Sequence, residues 1–157
     1  MRKRSSYRPK HVLVNPVGYV LESLSPVASH TAFMLDLKIK NHAALEDMTK
    51  GRATVAEVDT LIAMANITEA FARLGFGSGY SDIVRDGLDA LRSVGARGAP
   101  TSRFILKANE MYALNQLMEL HDAQLEAVTL KDMDKAIALV REEHRLKKTN
   151  RILEKNA

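Results

Sequence analysis

An all-α fold is predicted: a single-domain bundle of about five main helices, with a short N-terminal helix and an extended basic arm ahead of it. Apolar residues return at helical spacing over long segments rich in Ala, Leu, Met, Glu and Lys, the strong helix formers. Helix start and stop signals punctuate those segments at Asn15-Pro16, Thr54–Glu57, Gly75 and Thr129–Asp132. The sole strand candidate is the short run Val12-Leu13-Val14. With 157 residues, 46% hydrophobic and 27% charged, the chain fits one globular domain. Folding at this size buries roughly 70% of the unfolded surface, so a core forms without metal or disulfide staples.

Residues 1–15 read as the arm, because Arg8-Pro9 disfavours helix at the residue before proline, and residues 16–157 read as the helical domain. Asn15-Pro16 supplies a cap and a first helical position for a short helix from Val17 to Leu24, closed by Ser25-Pro26. The next helix runs from Val27 to about Met48, with Met34, Leu37, Leu45 and Met48 on one stripe, and Lys50-Gly51 ends it. Thr54 and Glu57 form a capping box for a third helix through Val58, Leu61, Ile62, Ala65 and Ala72, stopped by Gly75 in a left-handed cap. Gly75 to Tyr80 is a flexible connection, after which Ser81 caps a helix carrying Ile83, Val84, Leu88, Leu91 and Val94. Gly95 to Pro100 breaks that helix. The next spans roughly Ser102 to Val128, with Asn109 as an alternative start and a seam of Met111, Leu114, Met118, His121, Leu125 and Val128 suited to another helix. Thr129 with Asp132 opens the last helix, whose Met133, Ile137 and Val140 face inward and whose end turns basic past His144.

The absence of cysteine removes disulfide frameworks, thiolate metal sites and cysteine nucleophiles, and suits a reducing cytosol. The longest uncharged stretch, His11 to Leu21, is eleven residues and contains Asn15, Pro16 and Gly18. A spanning helix needs about 20 apolar residues, so no membrane is expected. The basic start is followed by polar residues and proline, not by the apolar core of a signal peptide, so the expected location is the cytoplasm.

Catalytic and cofactor chemistry finds little footing. Where a helical di-iron bundle places glutamate three residues before histidine, His121 has Met118 and His144 has Arg141. His121 reads instead as a hydrogen-bonded imidazole on an apolar seam. Gly75, Gly77 and Gly79 before a helix resemble a phosphate cradle, yet neither GxGxxG nor GxxxxGK[ST] is met, and an interhelical loop explains them. Ser78 is not framed by GxSxG. Glu46, Asp47, Asp82, Asp86 and Asp89 fit a solvated helix face. A non-enzymatic protein without cofactor or metal is therefore expected.

Charge is concentrated at the two ends. Arg2, Lys3, Arg4, Arg8 and Lys10 contain no acid among them, so of the net +4 the remainder of the chain carries −1. Arg145, Lys147, Lys148 and Arg151 form a second cluster, partly offset by Glu142, Glu143 and Glu154. The arm, with Tyr7 available to stack on a base, suits a nucleic-acid backbone; a solubilising tail and an acidic protein partner are the other uses of such a segment. The helix pair around Gly75 is a poor DNA reader, because Asp82, Asp86 and Asp89 on its second helix repel phosphate. Seven methionines with no Trp point to an adaptable aliphatic core.

The segments Met1–Lys10, Asp36-Leu37-Lys38-Ile39-Lys40-Asn41-His42 and Met118-Glu119-Leu120-His121-Asp122-Ala123-Gln124 resemble small, uncharacterised α-helical proteins of bacteriophages and prophages of Gram-negative bacteria. That resemblance implies action in an infected cell's cytoplasm and no particular reaction. The expectation is a binding protein acting through a host or phage protein or nucleoprotein partner, including inhibition of a host process or a defence such as CRISPR. Two alternatives stand beside it: a nucleic-acid-binding accessory factor using the basic termini, and a virion structural or assembly protein whose Met111–Val128 seam and long last helix form an oligomer interface, with a homodimer as the expected form.

Overall fold

The computed structural model describes residues 16–146, and these form an all-α bundle. Its helices are α1 (Pro16–Ser23), α2 (Thr31–Thr49), α3 (Val55–Arg73), α4 (Ser81–Gly98), α5 (Ala108–Ala127) and α6 (Leu130–Arg145). Helix α3 is the hub, packed against α2, α4, α5 and α6, and α5 also lies along α4 and α2. Its burial explains that place: Val58, Leu61, Met64, Ala65, Thr68 and Phe71 are all buried, a band wider than a single amphipathic stripe.

Local signals account for the helix ends that sequence reading located best. At α3 the Thr54 hydroxyl accepts from the Ala56 amide at 3.2 Å, and the Glu57 carboxylate accepts from the Thr54 amide at 2.7 Å. At α6 the Thr129 hydroxyl accepts from Asp132 N at 3.2 Å, while the Asp132 carboxylate accepts from Thr129 N at 3.1 Å. Helix α3 stops at Gly75, whose φ of +100° a side chain would strain. There Phe76 N donates to Phe71 O at 2.9 Å and Gly75 N to Ala72 O at 3.1 Å, the paired bonds of a Schellman ending. The Phe76 ring stands edge-on to Phe71, closing the motif with an apolar contact.

Four expectations are corrected by tertiary forces. Helix α2 begins at Thr31, not Val27. Residues Val27–Ser29 make a separate 3-10 turn, because Val27 N donates to Val128 O and Leu130 N donates to Ser25 O, both at 3.0 Å, drawing the chain extended at Pro26. Ser81 is the first residue inside α4 rather than its cap, since a 3-10 turn at Ser78–Tyr80 leads straight into the helix. The connection there is held, with the Gln124 amide donating to Phe76 O at 2.9 Å.

The largest correction concerns Ser102 to Lys107. Helix α4 ends at Gly98, within the expected break, but α5 starts only at Ala108, near the alternative Asn109 start. Between them Phe104 is driven into the core, 1% exposed. The Arg97 guanidinium forks onto Glu110 at 2.5 and 2.6 Å and also donates to Ile105 O at 3.0 Å. Glu110 in turn accepts from Lys107 N at 2.8 Å and caps α5. A buried aromatic and a partly buried ion pair thus outweigh the helical propensity of residues 102–107.

The seam read on α5 is consumed within the chain: Leu114, Met118, His121, Leu125 and Val128 are buried in the bundle. Met111, the first residue of that seam, is exposed. The core divides into a larger cluster centred on Leu61, Leu91, Leu114 and Leu117 and a smaller one around Val27, Phe71, Leu125 and Met133.

Gly98 permits the close packing of the 99–107 connection, since a Cβ there would lie 2.3 Å from a Phe104 ring carbon and 2.6 Å from the Arg103 carbonyl oxygen. Gly98→Ala is expected to destabilise the protein by about 2 kcal/mol or more, because a backbone oxygen cannot turn away. At Gly87 the obstacle is the Leu117 side chain, whose nearest carbon lies 2.6 Å from where an added methyl would sit. Gly87→Ala should cost less, since the crowding there involves side-chain atoms and no backbone oxygen, and alanine adds about 1 kcal/mol of helix propensity. Urea titration of the two variants measures the difference.

Candidate binding site

Three helices frame an apolar cavity of about 200 Å³. Helix α2 presents Phe33, Leu37 and Asn41, spaced by four so that they share a face. Helix α3 contributes Ala63, Met64 and Ile67, and α6 contributes Met133 and Ile137. Its deepest polar group comes from a fourth helix, where His121 of α5 lines the cavity at 1% exposure. Phe33, Lys40 and Ala63 are exposed and lie at its rim.

The Thr68 hydroxyl lies 2.8 Å from Met64 O and 3.0 Å from His121 Nδ1, within hydrogen-bond reach of both. Nε2 is buried without a hydrogen-bond partner. Burial also pushes the His121 pKa down from its ordinary 6.5 to about 4; nearby Asp122 opposes this, while His42 and Lys38 reinforce it. The ring is neutral at pH 7. Asn41, 3% exposed, shows a second deficit, since its Nδ2 is buried without an acceptor.

A larger groove of about 380 Å³ lies between α3 and α4, edged by Arg73, Arg85 and Arg92. Its cations are neutralised in place: Arg73 meets Glu69 and Glu143, Arg85 meets Asp82 at 2.9 Å, and Arg92 meets Asp89 at 2.6 Å. The acids expected to form a solvated face do so. They also leave α4 an electrostatically balanced helix, which carries no recognition stripe for phosphate.

Of the basic residues singled out from sequence, Arg145 alone lies among the described residues; Arg2, Lys3, Arg4, Tyr7, Arg8, Lys10, Lys147, Lys148 and Arg151 lie outside them. Arg145 is exposed and forks onto Glu142 at 2.6 and 2.9 Å, holding that carboxyl below the usual range. The glycines of the connection serve the fold: Gly75 ends α3, and Gly77 has φ +79° with Leu120 packed 3.1 Å from where a Cβ would sit.

Asn41 was missed in the sequence although its signal was visible. It falls on the stripe Met34, Leu37, Leu45, Met48, where an amide interrupts an apolar series. Another surface was also missed. Val17, Val20, Leu21 and Leu24, at amphipathic spacing on and just beyond α1, are 52–69% exposed. Among the described residues no helix is long and apolar enough to cross a membrane.

His121 makes stability depend on pH. Its folded-state pKa lies below the unfolded value, so between pH 6.5 and 4 the unfolded chain binds a proton that the folded chain refuses. Stability from this group is complete above that window and falls as the pH drops through it, by on the order of a few kcal/mol at its lower end. His121→Gln, which keeps a hydrogen-bonding amide for Thr68, is expected to lose less stability between pH 7 and 4.5 than the parent, read as the change in urea midpoint. Comparison with protein-family models, curated proteins and solved structures found no match to this chain.

Proposed function

We propose that this chain is a non-enzymatic binding protein that works through a protein partner laid against α1. The observation that carries this reading is the apolar stripe of α1. An eight-residue helix is too short to hold itself together in water, and here its aliphatic side chains face solvent. Covering them by a partner's apolar surface would release that water and add packing to that which α6 already gives the helix.

The resemblance to phage-encoded helical proteins makes a host or phage protein or nucleoprotein complex the partner class of this proposal. Inhibition of a host process, defence such as CRISPR included, is the consequence it assigns to that contact. Neutralised arginines on α4 and at Arg145 favour a protein over a nucleic acid for the described surface.

Val20→Asp combined with Leu21→Asp tests the proposal on the full chain. Both positions are solvent-facing, so folding stability should change by no more than about 0.5 kcal/mol per site. A protein retained from nuclease-treated Gram-negative lysate by the parent and lost by the variant is the expected result. Equal retention by both would overturn the role of α1. Recovery of nucleic acid, lost with nuclease and weakening steeply with salt, would replace the proposal with a nucleic-acid accessory role.

A further inference from the structure

We infer that the outer face of residues 103–107, the segment leading into α5, docks an extended acidic stretch of a partner protein in which carboxylate and apolar side chains alternate. The segment is not helical and its burial alternates residue by residue. Phe104 is buried and Leu106 packs on the larger core cluster, while Arg103, Ile105 and Lys107 are exposed. Alternation is the period of an extended chain, so the three outward side chains share one side at intervals of roughly 6.6 Å. Ile105, 58% exposed, stands between two cations.

Two observations set this face apart from the rest of the surface. Arg85, Arg92, Arg97 and Arg145 are each held by a carboxylate of their own chain. Among the described residues no carboxylate lies within ion-pair distance of the Arg103 or Lys107 side chain. Glu110, whose carboxyl feels the Lys107 charge, has its oxygens engaged by Arg97 and the Lys107 amide. The backbone is also fixed before anything binds: Arg103 N donates to Gly98 O at 3.2 Å, and Ile105 O accepts from Arg97 at 3.0 Å. A partner is thereby spared the cost of ordering the segment.

Charge and spacing together select the occupant. Residues 1–15 hold five Lys and Arg with no acid, and residues 147–157 hold four against Glu154, so neither end of this chain supplies the acidic stretch. The same face of a second copy would repel it. A nucleic-acid strand brings a phosphate at every step of its backbone, and the middle one would lose water against Ile105 without gaining a partner. An extended polypeptide has the side-chain repeat of residues 103–107 itself, so two carboxylates meet Arg103 and Lys107 while an apolar side chain covers Ile105. Pairing is through side chains, because Arg103 N, Ile105 O and Lys107 N are already bonded within the chain. The face lies about one α5 length, roughly 30 Å, from the Leu130 N to Ser25 O bond that anchors the end of α1, and does not rest on the α1 reading.

The test is a fluorescence-anisotropy titration of the full chain with a labelled peptide of alternating glutamate and valine. Two further peptides carry lysine in place of glutamate, or glycine in place of valine. Expected is saturable binding of the first, none of the lysine peptide, and binding of the glycine peptide weaker by at least about threefold, because Ile105 is left uncovered. No binding of the glutamate–valine peptide would overturn the proposal, and so would equal binding of the glycine peptide.

Arg103→Gln combined with Lys107→Gln is expected to weaken binding by about tenfold with the thermal midpoint unchanged, since both side chains are exposed. Lys131→Gln combined with Arg141→Gln removes the same charge from exposed positions of α6 and should leave binding as it was. Equal loss in the two variants, or undiminished binding by the first, would assign the peptide to overall positive charge and sink the proposal. A single-stranded oligonucleotide that displaced the peptide and itself lost affinity in the first variant would pass the face to nucleic acid instead.

Discussion

The bundle turns on one hydroxyl. Thr68 sits fully buried on the hub helix α3, where its hydroxyl lies within hydrogen-bond reach of Met64 O and of His121 Nδ1. One turn along α5, the Gln124 amide donates to the Thr68 carbonyl at 3.1 Å and reaches on to Phe76 O. These three residues form a polar layer between the two apolar clusters: Met64, Ala65 and Leu120 lie on one side, Phe71 and Leu125 on the other. Apolar contacts slide at little cost, whereas a hydrogen bond lost in a dry interior leaves both partners unpaired. The layer therefore sets the register of α3 against α5.

The same layer creates the chemistry of the cavity. Thr68 holds His121 through Nδ1, which leaves Nε2 buried without a partner, and burial keeps the ring neutral at neutral pH. Helices α2 and α6 both lean on α3 and leave a groove over it, with Asn41 on one wall. Structural order and the unpartnered Nε2 thus share one origin. The exposed stripe of α1 is different in kind: its chemistry is that of an apolar contact surface.

At the other end of the molecule, a second constraint shapes the chain. The Arg97 fork on Glu110 links α4 to the first turn of α5, and Phe104 fills the space that their separation opens. Outward from these anchors the surface is laced with exposed pairs such as Lys38–Glu126 and His42–Asp122 between α2 and α5, both at 2.8 Å. Such pairs contribute modestly each; the fork, whose carboxylate is removed from water, contributes orientation as well as energy.

How far the molecule could be read from its residues depended on the range of the interaction concerned. The all-α class, the capping boxes at Thr54 and Thr129, the left-handed stop at Gly75 and the inward stripes of α3, α4 and α6 were legible, because spacing and capping act within one or two turns. His121 could be placed in the core by the same means. Its partner could not, since Thr68 is 53 positions away and Glu119 and Asp122 were the visible neighbours. The late start of α5 and the turn at Val27 were likewise decided by Phe104, by the Arg97 fork on Glu110 and by Val128, contacts made with chain outside the local helix turn. Local periodicity by itself determined which segments coil and which faces are apolar. Only the tertiary structure decided which polar atoms on those faces find partners and which, at Asn41 and His121, remain without one, because hydrogen-bond satisfaction is a property of helices brought together and not of any one of them.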